Sequence, residues 1–356
     1  MSAAGADGAD IRFERRGAAG LVTLDRPHAL NAMSLAMVRA LTRQLAEWER
    51  DPAVTRVIVT ANGGRAFSAG GDLRALYDLG RAGRYEEALG YFREEYALNS
   101  RIKRYRKPYV ALIDGIVMGG GVGISVHGSH RVAGDRFVFA MPEVGIGFFP
   151  DIGATWFLPR LPGELGSYCA LTGERLAAED GAAAGIATHR VASARFPDLI
   201  AALCGTVAVD AVLGAFAQPP AAAPVAARRP AIDRLFRADR VEDILAALDA
   251  EAGGKGAEAG LASATAALMR TKSPTSLKIT REQMRRGASL DFAECMRTEF
   301  RIVSRIVRGH DFYEGIRAVI IDKDQAPRWQ PSTLAAVSAA EVERHFAPLA
   351  DELDLP

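Results

Sequence analysis

The chain has 356 residues, 49% of them hydrophobic, enough for a substantial core and too many for a small scaffold that depends on staples. Lys plus Arg number 44 against 43 Asp plus Glu, a formal charge of +1, so no global basic field draws nucleic acid. The three cysteines, Cys169, Cys204 and Cys295, form no CxxC pair, which leaves no metal framework and fits a reducing compartment.

The first residues, MSAAGADGADIR, lack an apolar h-region and carry two aspartates before the first arginine, so neither a secretory signal nor a transit peptide is expected. No run approaches the roughly 20 apolar residues that cross a bilayer. These features predict a soluble cytoplasmic protein. LVTLDRP (21–27) reads as a strand stopped by proline, followed by a helix capped by Ser34 with Val38, Leu41, Leu45 and Trp48 on one face. RVIVTA (56–61), YVALIDG (109–115), HRVAG (130–134) and FVFAMP (137–142) are short β-branched or aromatic runs suited to buried strands. Residues 206–230, ending in the proline-rich QPPAAAPVAARRP, read as an extended connector. Beyond it the pattern is helical to about Arg308, then AVIIDKD (318–324) reads as a last strand and 338–349 as a terminal helix.

Motif searches exclude several chemistries. MGGGVGIS (118–125) lacks the third glycine of GxGxxG, and neither GxxxxGK[ST] nor GxSxG occurs, so NAD, ATP and a serine-hydrolase triad are unsupported. His127 and His130 have no acidic or cysteine neighbour, and no metal is expected. Two glycine-rich turns remain, AFSAGGD (66–72) and MGGGVGIS. Glycine there either permits tight turns alone or leaves backbone N–H groups facing a ligand. MPEVGIGFFPDIG (141–153) places Glu143 and Asp151 in apolar surroundings. On residue chemistry alone they are either a working acid pair or a satisfied loop acid and the cap of a helix beginning near ATWFLPR.

Together these motifs resemble the enoyl-CoA hydratase/isomerase (crotonase) superfamily. The resemblance implies an α/β spiral of ββα units over residues 1–205, with a mainly helical region from 231 to 356 completing an acyl-CoA site. It makes Gly71 and Gly120 the two oxyanion donors. It also maps one hydratase glutamate onto Gly123, which has no side chain, and the other onto Glu143. Asp151 stands where hydratases usually carry a small residue. EEYALNS, SPTSLKIT and HDFYEGIRAVIIDKDQAPRWQP resemble a narrower branch, the 3-hydroxyisobutyryl-CoA hydrolases.

In that pattern Glu95, Gly120, Glu143 and Asp151 contact substrate. Glu143 is the nucleophile or general base and Asp151 orients the substrate hydroxyl or the water. Coenzyme A is expected along Arg26, Ala29, Ala69, Gly70, Asp72 and Leu73, with Arg26 helping its phosphates. It is part of the substrate, and no further cofactor is implied. The partners expected are an acyl-CoA, no nucleic acid, no membrane, and a trimer or hexamer of the chain itself. The alternatives are a hydratase or isomerase on the same fold, or a non-catalytic acyl-CoA- or RNA-binding relative.

Overall fold

A computed structural model describes residues 10–355, so most of the amino-terminal segment read for a leader lies outside the described residues. A six-stranded sheet forms from β1 (Ile11–Arg16), β2 (Ala19–Leu24), β3 (Arg56–Ala61), β5 (Tyr109–Ile113), β7 (His130–Ala133) and β10 (His189–Arg190), adjacent in that order. A four-stranded sheet holds β4 (Ala66–Ser68), β6 (Ile116–Met118), β8 (Val138–Ala140) and β9 (Leu176–Ala177). β1 pairs antiparallel with β2; β2, β3, β5, β7 and β10 run parallel, as do β4, β6 and β8. The chain alternates between the sheets, β3 to β4, β5 to β6 and β7 to β8, before a helical segment returns it. This is the expected crotonase-type spiral.

Helix α1 (Leu35–Arg50) follows β2; Ser34 accepts the Met37 N–H at 3.3 Å, and the four residues assigned to its apolar face are all buried. α2 (Leu73–Arg81) and α3 (Tyr85–Lys103) follow β4. α4 (Gly120–Gly123), α5 (Ala154–Phe157), α6 (Leu165–Thr172) and α7 (Ala178–Ala183) are short segments around the site. α8 (Phe196–Leu203) and α9 (Val209–Phe216) bury Leu199, Leu203, Val212 and Leu213 against Leu21, Ile58, Val110 and Val132 on one face of the large sheet. The opposite face supports the main core.

The expected connector is therefore mostly helical. Val209, Val212 and Leu213 at helical spacing dock α9 on the sheet. PVAARRP forms the start of α10 (Pro224–Leu235), with Pro224 at its first turn, where no N–H partner is needed. Pro230 lies inside that helix, and Ala226, whose carbonyl loses a partner there, is on the exposed side. Residues 206–208 and 217–223 are irregular.

α11 (Val241–Ala252), α12 (Ala259–Arg270), α13 (Pro274–Gly287), α14 (Phe292–Ile306), α15 (His310–Ile316) and α16 (Ala339–Phe346) complete the fold. AVIIDKD is not a strand. Arg317–Ile321 continues α15 as a π-type turn, closed by Asp322 N–H to Arg317 O at 2.8 Å, while the Arg317 side chain binds Glu314, Asp322 and Asp324. These tertiary anchors override the β-branched preference of the run.

Candidate active site

Three neighbouring parallel strands deliver the site. β4, β6 and β8 end at Ser68, Met118 and Ala140, and Gly71, Gly120 and Glu143 follow each end by two or three residues. Gly70 at φ +122 and Gly119 at φ +44, ψ −126 adopt conformations suited to glycine and make the sharp turns that lead into Gly71 and Gly120. The two turns touch: a methyl built on Gly120 would lie 3.4 Å from Gly71 N and 2.6 Å from Glu95 Oε1. Among the described residues neither the Gly71 nor the Gly120 N–H donates to a protein group. Because α4 has only four residues, the pair acts as two aimed donors, with little macrodipole behind them.

The carboxyl groups predicted to surround them are buried. Glu143, at 6% exposure, leads a short 3-10 turn (Glu143–Ile146); its Oε2 is sealed from solvent without a hydrogen-bond partner, and its Oε1 lies 3.6 Å from where a Gly119 methyl would stand. Asp151 Oδ2 accepts the Tyr96 hydroxyl at 2.8 Å. Asp151 does not cap α5: the cap position is Gly153, which makes no side-chain bond.

Glu95 lies on α3 at 3% exposure, which rules out a solvated helix face. Its Oε1 is 3.2 Å from Tyr91 Oη, which also lies 3.0 Å from Met33 O. The one hydroxyl proton is shared between these two acceptors, and its donation to Glu95 opposes the rise that burial causes there.

Burial pushes Glu95 up to about 8 and Asp151 up to about 7, the Asp151 charge adding to the rise at Glu95. Glu143 is raised well above the usual carboxylate range, by burial first and then by Asp151. A fourth acid, Glu299 of α14, is fully buried and raised to about 8 by burial and by Asp151. The cluster cannot be fully ionised at neutral pH, and its protons belong to the group.

The position that hydratases fill with a second glutamate is packed shut. A methyl on Gly123 would meet Asn99 Nδ2 at 2.8 Å and Ile152 Cβ at 3.0 Å. Asn99, on α3 one turn beyond Glu95, is completely buried with neither polar atom of its side chain partnered. Sequence reasoning missed Tyr91, Tyr96, Asn99 and Glu299. The available signal was polar residues on otherwise apolar helix faces: Tyr91, Glu95 and Asn99 at four-residue steps, and Glu299 among Cys295, Met296, Ile302 and Val303.

The two segments expected along coenzyme A lie side by side. Ala69 N–H donates to Leu30 O, Met33 N–H to Gly70 O, and Asp72 N–H to Met33 O. Arg26 does not present a free guanidinium for phosphates. It pairs with Asp72 at 2.9 Å and Asp10 at 3.3 Å and donates to Ala32 O, so it ties the two segments together. Ala29 ends a 3-10 turn, Asp72 caps α2 through Ala75 N–H, and Leu73 begins that helix. His127 and His130 point to separate partners, Ile152 O and Asp210.

Crossed ββα units, two touching glycine turns and a buried acid beside them define an acyl-CoA enzyme of the crotonase class. A sequence profile of the enoyl-CoA hydratase/isomerase family matches residues 19–346, and the chain belongs to that family. Among its relatives, the 3-hydroxyisobutyryl-CoA hydrolase, mitochondrial, of Danio rerio is 45% identical over 361 aligned residues, covering 98% of this chain and 92% of the relative. That of Homo sapiens is 41% identical, covering 96% and 89%. A carnitinyl-CoA dehydratase structure from Mycobacterium thermoresistibile superposes with TM-score 0.91 at 42% identity, covering 98% of this chain and 99% of its own. An enoyl-CoA hydratase structure from Rhodobacter sphaeroides gives 0.86 at 40%, covering 96% and 98%.

Proposed function

We propose that this protein hydrolyses the thioester of 3-hydroxyisobutyryl-CoA, or of a close 3-hydroxyacyl-CoA such as 3-hydroxypropionyl-CoA, as a step of valine breakdown. The observation that carries the reading is the asymmetry of the acids. Oε2 of Glu143 is unpartnered next to the Gly119–Gly120 turn, while the hydratase glutamate is replaced by Gly123 with its space closed by Asn99 and Ile152. Water addition by paired glutamates lacks one of its two groups. Acyl transfer to water needs only one.

The thioester oxygen sits between the N–H groups of Gly71 and Gly120. Glu143 either takes a proton from water as it attacks the carbonyl carbon or attacks that carbon itself. The C–O bond forms, negative charge gathers on the oxygen facing the two amides, and the C–S bond breaks as the oxyanion collapses. Coenzyme A leaves as a thiolate that is then protonated; by the base route the hydroxy acid is formed at once, and by the nucleophile route the acyl group stays on Glu143 as an anhydride that water then cleaves to the acid and the restored carboxylate. Asp151, held by Tyr96, orients the substrate hydroxyl or the water, and a neutral Glu95 lines the acyl pocket against Gly120.

The deciding experiment compares thiol release from 3-hydroxyisobutyryl-CoA with hydration of crotonyl-CoA. Rapid thiol release with negligible hydration is expected; hydration alone would assign the site to a hydratase. Single-turnover hydrolysis in ¹⁸O-water separates the two roles of Glu143, since label enters its carboxyl only if an acyl-enzyme anhydride forms. The relatives are named mitochondrial; imaging a carboxy-terminally tagged chain in its own cell decides between that location and the cytoplasm.

A further inference from the structure

The turn that carries Asp151 does not hold its own shape. Ile152 stands at φ +57 and Gly153 at φ +88. A β-branched residue in the left-handed region is strained and persists only where its surroundings over-determine it. Those surroundings come from both sides of the turn in the sequence. His127, which follows α4, donates its Nε2–H to Ile152 O at 2.6 Å. Gln283 of α13 donates to Pro150 O at 2.5 Å and to Thr155 Oγ1 at 2.7 Å. Glu299 of α14 takes the Gly153 N–H on Oε2 at 2.7 Å and the Thr155 N–H on Oε1 at 2.9 Å.

Both Glu299 oxygens thus grip backbone amides two and four residues beyond Asp151, whose side chain is held by Tyr96. We propose that Glu299 is the positioning residue of the acyl site: its carboxyl clamps the strained turn and thereby sets where Asp151 points. The proposal rests on the reading that Asp151 works on the substrate or the water. It also assigns the helical carboxy-terminal region a task in the chemistry, since α13 and α14 supply two of the three side chains on the turn.

The test is a double-mutant cycle in the full-length protein, with Glu299→Gln, Asp151→Asn and both together, read by kcat for thiol release and by the affinity for free coenzyme A. A glutamine keeps the size of Glu299 but accepts with one oxygen, so one amide loses its partner and the turn relaxes. The expected result is a fall in kcat of about 10²-fold for E299Q, as for an ångström-scale misplacement. Affinity for coenzyme A should stay within about twofold, and E299Q should add less than about twofold in the D151N background.

An E299Q loss of the same size in both backgrounds, or a parallel loss of coenzyme A affinity, would mean that Glu299 only holds the fold, and the proposal would be rejected. An unchanged kcat in E299Q beside an impaired D151N rejects it alone, while an unimpaired D151N removes the underlying reading of Asp151 as well. Should E299Q not fold, Gln283→Met, which frees Pro150 O and leaves the Glu299 bonds in place, passes through the same cycle with the same criteria.

Discussion

Each glycine of the oxyanion pair works by what it lacks. Gly120→Ala would push a methyl against Glu95 Oε1 and toward Gly71 N. Loss of about 10²–10³ in kcat is expected, with folding retained by circular dichroism. The acids set the pH response. Glu143 acts as nucleophile or base only when ionised, and burial followed by the Asp151 charge raises it, so kcat/KM should climb with pH over a range well above that of an ordinary carboxylate. In Asp151→Asn one of those two causes is gone: the rate falls, and its rising limb should move to lower pH. A limb that stays put would show that the two acids do not communicate.

Stability runs the other way. Glu95, raised from the usual carboxylate range to about 8, keeps its proton in the folded protein at pH values where the unfolded chain has lost it. Its contribution is fully present in acid and disappears as pH rises through the interval between the unfolded and folded values. Glu95→Gln should therefore leave the melting temperature unchanged near pH 4 and raise it near pH 9, at the expense of turnover. A melting curve at the two pH values checks this directly.

At the scale of elements, β-branched runs bounded by glycine and proline marked the parallel strands, because a buried strand needs little more than bulk and a stop. The Ser34 cap and the apolar stripe of α1 were equally visible, being local. β1 went unread, since its outer face, with Arg12, Glu14 and Arg16, is charged and its partner is the next strand. Proline content hid α9 and the start of α10, where packing on the sheet and Pro224 at a first turn decide the outcome. Among site residues, those in turns could be read because glycine there has a visible purpose, whereas Tyr96, Asn99 and Glu299 act across helices whose pairing no local pattern discloses.

One contact between elements can be tested alone. Gly315 of α15 lies so near Ile146 that a methyl would come within 2.2 Å of its carbonyl carbon, and Gly147 presses equally on Asp311 O. Gly315→Ala should cost at least about 1–3 kcal/mol of stability, seen as a fall in melting temperature, and should disturb the Glu143 turn that it abuts. Unaltered melting and turnover would mean that α15 shifts freely.

For the molecule as a whole, the reacting groups all precede residue 152, while the pieces that hold them arrive later. Glu299 and Gln283 secure the Asp151 turn, Ser273 N–H binds Val144 O beside Glu143, and α15 seats the same turn. A fragment ending at residue 205 is therefore expected to retain no measurable thiol release despite containing Gly71, Glu95, Gly120, Glu143 and Asp151. Supplying residues 206–356 in trans should restore activity only if the two parts associate. Activity in the short fragment would show that the helical region is a passive cover.

The close seating of Gly315 on Ile146 carries this into the life of the chain. During synthesis the ribosome releases every group that does chemistry well before it releases the helix that steadies them. A nascent enzyme should thus stay silent toward thioesters until α15 has emerged, and contacts of such long sequence separation make this closing step a slow one.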